Sequence, residues 1–110
     1  MWLNENEIDD AYDTLSAHAP EAAPYARYLR DWKDVVNSNS DGWAYWKSGS
    51  RPAEGLGTLV RQAVDSLRGR GAMPSETDFK KSLTPIKAAA TRFKLEAPTL
   101  DLDAAPAPRF

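Results

Sequence analysis

Apolar residues in this chain recur at intervals of three and four, segment after segment, and nowhere alternate over a useful length. That spacing is the repeat of one helix face, so the pattern restricts the chain to an all-α fold. It is clearest in Leu56, Leu59, Val60, Ala63, Val64 and Leu67, which keep one face for three turns. Gly69 follows, where a left-handed residue commonly ends a helix. Ser50 offers itself as the cap of this segment, and Gly55 and Gly57 weaken its first turns.

The other segments read in the same way. Asn4 and Glu7 have capping-box spacing, Leu3 and Ile8 have that of a hydrophobic staple, and Ile8, Ala11, Tyr12, Leu15 and Ala19 share a face. Pro20 closes this first helix. A second begins between Pro20 and Pro24 and buries Tyr25, Leu29, Trp32 and Val36, with Tyr28 and Val35 widening the stripe. Residues 37–42 read as a loop by composition. The run Trp43-Ala44-Tyr45-Trp46-Lys47 is too short to assign by period, and is either a helical turn capped by Asp41 or an extended segment.

Ser75 with Asp78 caps a last helical stretch, in which Phe79, Leu83, Ile86, Ala90 and Phe93 hold one phase straight through Pro85. A kinked helix and two short helices both fit. The Thr84-Pro85 pair favours two, with Thr84 as cap and Pro85 at the first position. The sum is a single helical domain over residues 1–95, built of four to five helices in an orthogonal or bundle-like arrangement, with a mobile Pro/Ala-rich acidic tail over 96–110.

Composition removes whole classes of chemistry. A chain of 110 residues without cysteine has no disulfide, thiolate zinc site, iron–sulfur cluster or cysteine nucleophile. No apolar run approaches the ~20 residues of a membrane span. Residues 1–5 lack the basic and apolar regions of a signal peptide, so the expected location is cytoplasmic.

Catalysis finds little support. The one histidine, His18, sits at a helix end without a nucleophile tied to it by a motif. Glu-x-x-His and EF-hand patterns are missing, so no metal is expected. Trp46-Lys47-Ser48 lacks the glycine that precedes a phosphate-loop lysine, and Gly55-Leu56-Gly57 lacks the third glycine of a dinucleotide fingerprint. The expectation is a protein that is not an enzyme and holds no cofactor.

Charge is the remaining signal. The formal net charge is −2, yet residues 1–43 carry nine acids against three bases, and residues 44–94 carry ten bases against four acids. Either the halves neutralise each other by packing, or the basic half meets a polyanion. Lys80, Thr84, Lys87, Thr91 and Lys94 form a stripe one residue out of phase with the core, flanked by Lys81 and Arg92 and extended by Arg68 and Arg70. Lysines alternating with hydroxyls suit phosphate contacts. Lys47 and Arg51 add to the basic half beside the aromatics, and Trp43, Tyr45 or Trp46 would stack on unpaired bases if exposed. The reading is a small interaction protein in a nucleic-acid-containing assembly, touching phosphates without reading sequence.

A different reading uses the acidic half. Glu5, Asp9 and Asp13 share a face of the first helix and present a row of negative charge to a protein partner. With the aromatic segment Trp43, Tyr45 and Trp46, they would make a protein-binding regulator or inhibitor. Separate acidic and basic stripes also permit head-to-tail homo-oligomers.

Overall fold

Five helices appear in the computed structural model, which describes residues 4–38, 42–48 and 51–100, with the Trp46 side chain outside that description. They are α1 (Glu5–His18), α2 (Ala23–Ser38), α3 (Gly42–Lys47), α4 (Glu54–Leu67) and α5 (Glu76–Arg92). No strand occurs among the described residues, so the all-α reading holds.

Two helix starts are written in the sequence and form as expected. The Asn4 side chain accepts from the Glu7 amide at 2.8 Å, and the Glu7 carboxylate accepts from the Asn4 amide at 3.4 Å. Ser75 and Asp78 repeat this reciprocal pairing at 3.1 and 3.4 Å. Each box satisfies two amides that the helix leaves orphaned. The expected staple at Leu3 and the caps at Asp41 and Ser50 fall outside the described residues. At α4 the N-cap is Ala53, which supplies no side-chain bond.

The structure corrects the reading at Pro85. Thr84 does not start a new helix; α5 runs unbroken through Pro85 to Arg92. Proline deprives the Lys81 carbonyl of its helical donor, but Pro85 and Lys81 are both exposed, where water replaces that bond. Phe79, Leu83, Ile86 and Ala90 all stay buried in one phase. A break at Thr84 would rotate half of them away from the core. The second helix is longer than expected as well, taking in Asn37 and Ser38.

Both α4 and α5 end in the same hydrogen-bond closure. After α4, Gly69 takes φ 76° and the Arg70 amide reaches back to the Asp65 carbonyl at 2.9 Å. After α5, Lys94 takes φ 55° and the Leu95 amide reaches back to Ala90 at 2.8 Å. The left-handed residue is a glycine in one and a lysine in the other, and a side chain there is strained. Burial of Leu95 drives the second closure. Beyond it, Ala97 and Leu100 still pack against the core.

α2 is the centre of the fold, lying against α1, α3 and α4, while α5 packs on α4. Its Trp32 is fully buried, with Tyr25, Tyr28 and Leu29 on the same element. α3 docks through Tyr45, whose ring makes edge contacts with Trp32 at 5.7 Å and Phe93 at 5.6 Å. Such pairs contribute about 0.5–1.5 kcal/mol each beyond area burial. They tie the short helix to both α2 and the end of α5. Gly42 makes the approach possible: a Cβ there would lie 1.7 Å from the Val36 carbonyl oxygen. No described helix is long and apolar enough to cross a membrane.

Candidate nucleic-acid interface

α5 presents its polar face to solvent along its length. Lys80, Lys81, Thr84, Lys87, Thr91 and Arg92 are all exposed, while Phe79, Leu83, Ile86 and Ala90 face inward. Because α5 is one helix, the stripe from Lys80 to Thr91 is continuous. Lys94 departs from it. It is exposed, but it lies past the helix end in the left-handed turn and so is out of the helical phase expected for it. Arg68 and Arg70 are exposed around Gly69, on the turn that leads toward the start of α5.

Few of these charges are neutralised. Lys80 bonds Glu76 at 2.9 Å, and this carboxylate holds the ammonium pKa above its ordinary value. Among the described residues, Lys81, Lys87, Lys94, Arg68, Arg70 and Arg92 make no ion pair. The Arg92 guanidinium instead lies 5.0 Å from the centre of the Phe93 ring. The Thr91 hydroxyl donates to the Lys87 carbonyl at 3.3 Å, so its oxygen is left to accept while its proton serves the helix.

The fold adds a residue that the helical stripe does not contain. Arg51 lines a depression of about 450 Å³ together with Pro52, Pro85, Ala88, Arg92 and Phe93. Two arginines therefore line an open hollow beside the lysine stripe. The only sequence signal for it was that Arg51 belongs to the basic half. Its partnership with Arg92 depends on how the chain before α4 crosses α5.

The acidic row behaves differently. Arg30 on α2 reaches Glu5 at 3.4 Å and Asp9 at 3.2 Å on α1, and Asp34 at 2.6 Å on its own helix. Burial works against its charge, but Asp34, Glu5 and Asp9 outweigh that and raise its pKa. The Asn37 amide also donates to Glu5 at 3.4 Å. Glu5 and Asp9 are thus folded onto α2; Asp13 is exposed further along α1. On the same side of α2, Lys33 is buried, and desolvation lowers its pKa.

The aromatic segment divides in two. Tyr45 is fully buried and is not available to a base or a partner, which corrects its place among the surface candidates. Trp43 is 68% exposed, with the Lys47 ammonium 4.9 Å from its ring centre. A helical turn puts residues two apart on nearly opposite sides, so burying Tyr45 turns Trp43 outward.

His18 is exposed at the end of α1. Among the described residues, no group of three His, Asp or Glu side chains is placed to hold a metal ion. No family model matches the chain, and no curated protein or solved structure matches it.

Proposed function

We propose that this protein is a non-enzymatic helical module that binds nucleic acid within a larger assembly, through the exposed face of α5 and without reading sequence. One observation supports this most strongly. From Phe79 to Leu95 there are five cations and no acid, and among the described residues only Lys80 of the five is ion-paired. A cationic face left without counter-charges by the fold gains counterion-release energy on meeting phosphates. The Arg51–Arg92 hollow offers a seat for one phosphate, with guanidinium forks suited to its oxygens. The acidic row supports its reading less well, since Arg30 already engages Glu5 and Asp9.

Fluorescence anisotropy with a labelled oligonucleotide, repeated across a salt series, tests the proposal. Three or four phosphate contacts give a log–log salt slope of about −3. Combined K81E, K87E and R92E substitutions should abolish most of the binding. Unchanged affinity in that triple variant would refute it.

A second reading rests on the exposure of Trp43. A tryptophan exposed beside a cation is a common anchor for a protein partner. A pull-down partner that survives nuclease treatment and is lost with Trp43→Ala would favour a protein-binding regulator.

A further inference from the structure

Among the described residues Trp43 and Leu67 are the large apolar side chains left exposed, and only Trp43 is open over most of its surface. A lone apolar residue on a surface needs no occupant. What distinguishes Trp43 is its setting. Lys47, one turn further along α3 and itself exposed, holds its ammonium 4.9 Å from the centre of the indole ring. An aromatic face and a cation thus stand together on the outer side of α3, opposite the buried Tyr45.

α3 stands at the C-terminal end of the α5 stripe. The Tyr45 ring meets the Phe93 ring at 5.6 Å, and the Arg92 guanidinium lies 5.0 Å from that same Phe93 ring. Phe93 also lines the hollow that Arg51 and Arg92 share. Arg51 follows Lys47 closely in the chain, so their Cα atoms are at most about 14 Å apart. The stripe, the hollow and α3 therefore adjoin one another. From Lys80 to Arg92 the helix rises about 18 Å. One strand of nucleic acid covers that length with about five nucleotides, at about 3.4 Å each.

We infer that the module takes single-stranded nucleic acid in preference to duplex, with phosphates along α5 and an unpaired base stacked on Trp43. This rests on the reading of α5 as a phosphate-binding face and adds which form of nucleic acid it selects. Phosphate contact alone would favour the duplex, which carries a charge at about every 1.7 Å of its axis, against about 3.4 Å for one strand. A duplex base has both faces covered by its neighbours, so it meets Trp43 only after unstacking. In a single strand every base offers a ring face, and stacking tolerates any sequence. Lys47 places a cation beside the stacked base, in reach of the phosphate that follows it.

Fluorescence anisotropy of the full chain with three labelled probes tests this. The probes are a mixed-sequence DNA strand of about 15 nucleotides, the same strand annealed to its complement, and a strand of equal length with abasic sites in place of its bases. At one salt concentration the intact strand should bind about tenfold more tightly than the duplex or the abasic strand. Trp43→Ala should remove that advantage and leave the salt slope unchanged, while Trp43→Phe should keep most of it. Trp43 is exposed, so neither substitution disturbs the core. Salt-dependent binding in which the duplex equals or exceeds the single strand overturns the inference and leaves the phosphate-binding face standing. So does single-strand affinity unmoved by Trp43→Ala, the outcome expected if Trp43 anchors a protein instead. Absence of salt-dependent binding to all three probes overturns both.

Discussion

Arg30 crosses from α2 to place its guanidinium 3.2 Å from Asp9 on α1, and the same group holds Glu5 and Asp34. One cation therefore collects three carboxylates from two helices. The Arg30 side chain is 28% exposed and its partners are about half exposed, so solvent screens the network. Arg30→Gln should lower stability by about 1 kcal/mol, with the difference shrinking at high salt. A double-mutant cycle with Asp9→Asn should show coupling near 0.5 kcal/mol, read by urea denaturation. Zero coupling would mean that the three acids simply crowd a cation without binding it.

Gly42 has no room for a side chain. A Cβ at this position meets backbone oxygen at 1.7 Å, which no side-chain adjustment relieves. Gly42→Ala should destabilise the protein by about 3 kcal/mol or more, or undock α3 and free Tyr45. Near-ultraviolet circular dichroism separates these outcomes, since Tyr45 sits edge-on to Trp32. Gly55, which has nothing within 4 Å of its Cβ position, should accept alanine with a gain of about 0.5–1 kcal/mol.

α5 carries two local penalties that substitution can remove. Pro85→Ala restores the amide that the Lys81 carbonyl lacks. The helix-propensity difference, which already includes the unfolded-state entropy, sets a gain of up to about 3 kcal/mol. Lys94→Gly relieves the left-handed side chain and should add about 1 kcal/mol. The two changes lie far enough apart to add, and thermal unfolding checks them. If Lys94 also touches phosphate, Lys94→Gly will flatten the salt slope of binding by about one while raising Tm.

The buried tyrosines set an alkaline limit. Desolvation raises the pKa of Tyr25, Tyr28 and Tyr45 above the ordinary 10.0. The folded state then keeps phenol protons that the unfolded state has lost, so stability is full below pH 10 and falls as pH rises through the folded values. Lys33, with its pKa lowered, acts oppositely: its contribution increases with pH up to the ordinary lysine value. Three phenols against one ammonium predict a net loss of stability as the pH rises above about 10. Denaturant midpoints in this range, with tyrosinate absorbance followed in parallel, will show whether ionisation and unfolding coincide.

The sequence by itself determined the helical class, both capping boxes and nearly all the inward faces. These depend on residues within one turn of each other: Asn4 with Glu7, Ser75 with Asp78, and the three-and-four spacing from Leu56 to Leu67. The glycine that closes α4 was legible for the same reason. The tertiary structure decided the rest, because the deciding contacts join residues far apart in the chain. Thr84-Pro85 looks like a helix start locally, yet the buried phase from Phe79 to Ala90 outweighs one missing hydrogen bond on an exposed face. Tyr45 and Trp43 are alike in sequence context, and only the rings of Trp32 and Phe93 select which is buried. Glu5 and Asp9 read as an open acidic row until Arg30, on the next helix, closes over them. Charge and aromatic surface are long-range properties, so their meaning waits on which helix lies opposite.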